Sequence, residues 1–220
     1  IPDHFETAVS AGCGSFTYSG QPFALTLTAK NLVGGVTQNY SAAFSKAATL
    51  SSANGILGTF SPNPLLPSVF ANGVADLATV PQVSFAFNNK LTAPTALIVR
   101  TTDSDGVSSA TGSPIVEGGV MLRAGRLRLM NAYGSELLPI RVPIRSEFYT
   151  GTGWQVNAAD NCTALPTNAL SVSNVVGPAP VISAATPNPL LLNNGQATLI
   201  FNPTGLSGRF DLAANLNPAG

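Results

Sequence analysis

Charge is scarce in this sequence. Ten acidic and ten basic residues make up 9% of the 220-residue chain and cancel to zero, against roughly 25% charged residues in an ordinary soluble domain. Without net charge there is no long-range field to gather nucleic acid or anionic lipid, so neither is expected as a partner. Weak charge also removes the repulsion that keeps soluble proteins apart, which suits a chain packed against neighbours. Long apolar runs are missing as well. No stretch reaches the ~18 residues of a transmembrane helix, so no membrane span is expected. Residue 1 does not begin a signal peptide, and the ends at Ile1-Pro2 and Asn217-Pro218-Ala219-Gly220 read as those of a mature or excised piece.

Cysteine is nearly absent. Cys13 and Cys162 are too few for a disulfide scaffold. They leave three possibilities open: one intramolecular bridge, two free thiols, or bridges between chains. An intramolecular bridge would close a loop of about 150 residues, for which chain entropy gives on the order of 5 kcal/mol.

The residues of catalysis do not gather either. The single histidine, His4, lacks the partners of a zinc site or a Ser-His-Asp triad. There is no phosphate loop, nucleophile elbow or Cys-x-x-Cys pair. The chain is therefore expected to be non-enzymatic, with no cofactor and no metal. The one acidic group worth weighing for a cation is Asp103-Ser104-Asp105-Gly106. Alternate oxygens on a turn can converge on calcium, but the distal bidentate glutamate is missing, so Asp103 and Asp105 read first as a hairpin turn.

What the chain has is strand-like alternation. Residues 23–29, Phe-Ala-Leu-Thr-Leu-Thr-Ala, put Phe23, Leu25, Leu27 and Ala29 on one face. Similar runs cover residues 5–9, 74–80, 83–87, 96–101, 120–130, 137–148 and 197–201. Turn pairs such as Asn54-Gly55, Asn72-Gly73, Asp105-Gly106 and Asn194-Gly195 separate them, and 17 prolines favour edges and loops. With 45% hydrophobic residues for the cores, short strands at this spacing predict an all-β chain of two tandem Ig-like antiparallel β-sandwich domains, residues 1–110 and 114–220. An internal echo supports the pair: Ser61-Pro62-Asn63-Pro64-Leu65-Leu66 with Asn72-Gly73, then Thr186-Pro187-Asn188-Pro189-Leu190-Leu191 with Asn194-Gly195. Ser-Ser-Ala-Thr-Gly-Ser-Pro at 108–114 reads as the linker.

Arginine is the charge that clusters. Arg123, Arg126, Arg128, Arg141 and Arg145 fall within 23 residues on neighbouring predicted strands. Parity puts Arg126 and Arg128 on one face, and Arg141 and Arg145 on one face. Cross-strand pairing with Glu117, Glu136 and Glu147 is the plain reading, and binding of an anionic glycan the sharper one. The only tryptophan, Trp154, follows Gly151-Thr152-Gly153 and stands near Tyr149. It reads as a core plug, an interface anchor or a platform for a sugar ring.

The segment 125–139, Gly-Arg-Leu-Arg-Leu-Met-Asn-Ala-Tyr-Gly-Ser-Glu-Leu-Leu-Pro, with Val142-Pro143-Ile144-Arg145, Gly153-Trp154 and Asp160-Asn161-Cys162-Thr163, resembles the MshQ-like family. So does the opening Ile1-Pro2-Asp3-His4-Phe5 with Cys13-Gly14-Ser15-Phe16-Thr17-Tyr18. These are large bacterial surface proteins encoded with mannose-sensitive haemagglutinin and related type IV pili, whose C-terminal region is a domain of unknown function. The resemblance implies export, an extracellular location at the cell surface or pilus, Ig-like domains in series, and Cys13 and Cys162 as regular features that favour a bridge. The expected role is a structural stalk or filament component whose partners are further copies of itself or other pilus and surface proteins, with a glycan-binding adhesin module as the alternative.

Overall fold

The computed structural model describes residues 1–79, 82–89 and 91–215; Val80, the end of one predicted run, and the closing Asn217–Gly220 lie outside them. The fold is all-β, as expected, in two compact units. The first comprises Ile1–Ala124 and Tyr149–Thr152, the second Gly125–Phe148 and Gly153 onward.

In the first unit, β1 (His4–Ser10) pairs antiparallel with β3 (Pro22–Lys30). The other edge of β3 takes β6 (Val74–Asp76) and β7 (Val83–Phe87), and β7 takes β5 (Gly58–Ser61). A second sheet runs β2 (Thr17–Tyr18), β9 (Gly119–Arg123), β8 (Thr95–Asp103), β4 (Ala48–Ser52). Alternation decides which side is dry. Phe23, Leu25, Leu27 and Ala29 of β3 are buried, together with Leu97, Val99 and Leu122 from the second sheet. Each fully buried Leu or Phe side chain contributes roughly 1.5–3 kcal/mol. Phe5, Tyr40 and Phe70 meet edge to face or tilted at 5.0–5.9 Å, a preferred aromatic geometry.

In the second unit, β11 (Ile140–Tyr149) is central. It pairs with β10 (Gly125–Leu129) on one side, and with β16 (Gln196–Phe201) and β12 (Trp154–Val156) besides. Two small ribbons complete the unit: β13 (Ala164–Leu165) with β15 (Leu190–Leu191), and β14 (Leu170–Val176) with β17 (Arg209–Ala214). Val142, Ile144, Leu165, Leu190, Leu199 and Phe201 form the core.

The Pro-Asn-Pro echo has a structural counterpart. Asn63 Oδ1 accepts from the Leu50 amide, and Asn188 Oδ1 accepts from the Thr167 amide. Leu65 and Leu190 are both buried, one beside Ala48 and the other opposite Leu165. Asn72-Gly73 and Asn194-Gly195 make matching two-residue turns closed by paired backbone hydrogen bonds, Ala71 with Val74 and Asn193 with Gln196. All four turn residues have positive φ, which Asn and Gly adopt most readily.

The boundary differs from the one expected. Residues 108–114 lie inside the first unit, which continues to Ala124 and takes in β9. Ser109 is fully buried; its hydroxyl donates to Glu117 and accepts from the Thr101 amide. Gly118 passes so close to β1 that a Cβ would lie 2.8 Å from the Val9 nitrogen. Small residues here allow close packing; linker and tight-packing compositions look alike in sequence.

Candidate interaction face of the second unit

The antiparallel register fixes the faces. Leu127 and Leu129 of β10, Val142 and Ile144 of β11, and Leu199 and Phe201 of β16 point to the core. The intervening residues, Arg126, Arg128, Arg141, Arg145 and Glu147 with Gln196 and Thr198, therefore share the outer face. Both sequence-predicted arginine pairs thus come together on one sheet.

Glu147 sits at one end of this face, in the row of Arg126, and is buried, 5% exposed. Arg126 stands directly opposite and donates to its Oε2 through Nε at 2.8 Å and Nη2 at 2.6 Å. Arg128 Nη1 reaches Oε1 at 3.5 Å. The plain reading of cross-strand pairing accordingly holds for Arg126. The Arg126 guanidinium also lies over the Trp154 ring, 4.2 Å from its centroid, a cation–π contact that covers one ring face. Trp154 is half-buried. Arg128 is opposite Arg145, Arg145 is opposite Gln196, and Arg141 is exposed opposite Ile200. The Nε of Arg145 is buried and has no hydrogen-bond partner.

Other expected site residues have plain structural roles. Tyr149 falls in the first unit, where its hydroxyl donates to the Gly151 carbonyl at 3.0 Å. Arg123 is also in that unit, with its guanidinium 4.4 Å from the Phe16 centroid. Asp103 is buried; its Oδ1 accepts from the amides of Asp105 and Val107, and its Oδ2 from the Tyr40 hydroxyl. These bonds make the hairpin-turn reading the structural one. Burial, and then the bond to Asp103, hold the Tyr40 phenol well above the ordinary tyrosine range. Asp105 pairs with Lys46 at 3.7 Å. His4 is buried with Nδ1 2.9 Å from Asp3. Both cysteines are disulfide-bonded, so the free-thiol alternative is set aside.

A feature the sequence reading missed lies beside β10. A groove of about 540 Å³ is lined by Leu129, Ala132, Tyr133, Ile140, Phe210 and Leu212, among others. Tyr133 on its rim is 97% exposed. The only advance signal is that Leu129, Ala132 and Tyr133 belong to the segment 125–139 singled out above.

Residues 1–116 match the third domain of DUF6701, and residues 123–219 match its fourth domain. The chain belongs to the DUF6701 family. The junction between the two DUF6701 domains, 117–122, falls within or just before β9, close to the structural boundary at Ala124. No curated protein matches the chain. Among solved structures it is similar to the adhesin InvE of Yersinia pseudotuberculosis, at 12% identity and a TM-score of 0.32. That alignment covers 96% of this chain and 60% of the adhesin structure, so the chain spans less than two thirds of its length.

Proposed function

We propose that this DUF6701 chain is a non-catalytic part of a bacterial surface protein, extracellular and pilus-associated, which assembles through contacts between β units. The observation that carries the reading is the unfinished edge of the second unit. Among the described residues β10 pairs only with β11, and β17 only with β14, while the groove lies between β17 and residues 129–134 at and after the end of β10. Unpaired strand edges offer rows of backbone donors and acceptors, and a strand from a second copy can satisfy them while its side chains enter the groove. The apolar surface supports the same reading. Leu137, Leu138, Val175, Val176, Val181, Leu191 and Leu206 of this unit are each at least 42% exposed and offer apolar side chains to a neighbouring copy. The resemblance to the MshQ-like family supplies the pilus-associated setting.

Light scattering and electron microscopy of the purified chain over a rising concentration series test this. Ordered oligomers or filaments are expected; a particle that stays monomeric at high concentration overturns it.

A further inference from the structure

Four of the chain's seven arginines share the outer face of the β10–β11–β16 sheet with a single carboxylate. In a chain with so little charge that concentration needs an account. Glu147 neutralises Arg126, at 2.6 and 2.8 Å, and touches Arg128 only at 3.5 Å. Arg141 and Arg145 make no ion pair among the described residues. Arg128 and Arg145 stand directly opposite each other across antiparallel strands, a placement that destabilises a sheet when the charges are alike. Arg145 adds a second discord, a buried Nε with no acceptor, where buried guanidinium nitrogens ordinarily have one. The like-charge pair on this face is relieved by an anion from outside.

The layout narrows the anion. From Arg145 to Arg141 is four residues along one strand, roughly 13 Å at ~3.3 Å per residue. One small anion does not bridge that span, whereas a chain with repeated anionic groups does. Gln196, opposite Arg145, and Thr198, opposite Pro143, are exposed on the same face and offer neutral hydrogen-bonding groups between the cations. Guanidinium forks suit planar carboxylates and sulfates, and amide and hydroxyl groups suit sugar hydroxyls. Single-stranded nucleic acid calls for an aromatic platform; Trp154 already has one ring face covered by Arg126.

We propose that Arg128, Arg141 and Arg145 bind an acidic polysaccharide along this face, with Arg126 held by Glu147 and Trp154 as a positioning residue. The proposal goes beyond the assembly reading and does not depend on it: a monomeric chain that binds the polymer, or an assembling chain that ignores it, separates the two.

The test uses the full chain at low ionic strength, where screening is weak, with polygalacturonate and dextran sulfate as probes and neutral dextran and poly(dT) as comparisons. Retention of at least one acidic polysaccharide, with neutral dextran and poly(dT) clearly weaker, is expected, and which one is retained identifies the anion as carboxylate or sulfate. R128Q/R145Q is expected to bind at least about tenfold more weakly, the loss of one or two charge-assisted bonds. Its thermal midpoint should be unchanged or higher, because the like-charge pair is gone. R141Q, at an exposed position, gives an independent loss should the double variant fold poorly. The proposal is overturned by no retention above neutral dextran, by equal affinity in wild type and folded arginine variants, or by poly(dT) binding as tightly as the polysaccharides.

Discussion

At the residue scale, the most informative charges are those the fold encloses. Glu117 is 7% exposed at its side chain; Arg100 donates to it at 2.8 and 3.1 Å and Ser109 at 2.8 Å. The Arg100 bond, ahead of the opposing effect of burial, holds the Glu117 carboxyl below the ordinary glutamate range. A depressed carboxyl contributes stability above its unfolded pKa, near 4.3, and loses it as pH falls through the lower folded value. Thermal midpoints measured from pH 6 down to 2 should therefore fall more steeply for wild type below about pH 4 than for Glu117→Gln, which is less stable than wild type at pH 6. Identical slopes would remove Glu117 from the account. Tyr40→Phe leaves Asp103 Oδ2 without its hydroxyl donor, and chemical denaturation should register a loss of about 1–3 kcal/mol. The sequence marked Asp103 and Asp105 as a turn, yet hid Tyr40, which lies 63 residues away in the chain. Local hydrogen bonding is readable from neighbours in sequence; a partner that distant depends on sheet packing.

At the element scale, alternation located the strands that bury one face. Residues 23–29 and 83–87 match β3 and β7 closely because their core sides are continuous. The run 120–130 proved to be two strands, since Ala124 interrupts it where the chain passes from one unit to the other. β14 escaped the reading: Ser171 to Val176 are all exposed, so no buried face imposed a pattern on them. The same exposure makes β14 a test of assembly. Lysines on edge strands discourage pairing, so Val172→Lys with Val176→Lys should reduce oligomer mass in light scattering and leave the unfolding free energy, by chemical denaturation, within about 1 kcal/mol of wild type. Undiminished oligomers would move the contact elsewhere. The arginine strands were legible through parity alone, whereas the groove was not, because it forms between segments about 70 residues apart, 129–142 and 208–212.

At the scale of the whole molecule, the two cores differ in size. The first unit gathers Phe5, Phe23, Phe60, Phe85 and Phe87 from one sheet against Leu50, Leu97, Val99 and Leu122 from the other, and the second centres on Ile144, Leu199 and Phe201. Calorimetry is expected to resolve two transitions, with the second unit melting first. Phe201→Ala, at a site 1% exposed, should lower that transition by about 3–5 kcal/mol and leave the other in place. A single transition lowered as a whole would mean that the units unfold as one. The echo of Asn63 and Asn188 announced the two units in the sequence, but the order in which the chain visits them was invisible.

That order has a bearing on heredity. Strand β11 ends at Tyr149, and the four residues Tyr149–Thr152 belong to the first unit although both their flanks belong to the second. Tyr149 packs against the first core. No single crossover in the gene separates the two units cleanly. The pair is expected to pass between genomes as one cassette, and lineages that keep the first unit alone should show a rebuilt surface where Tyr149 now packs.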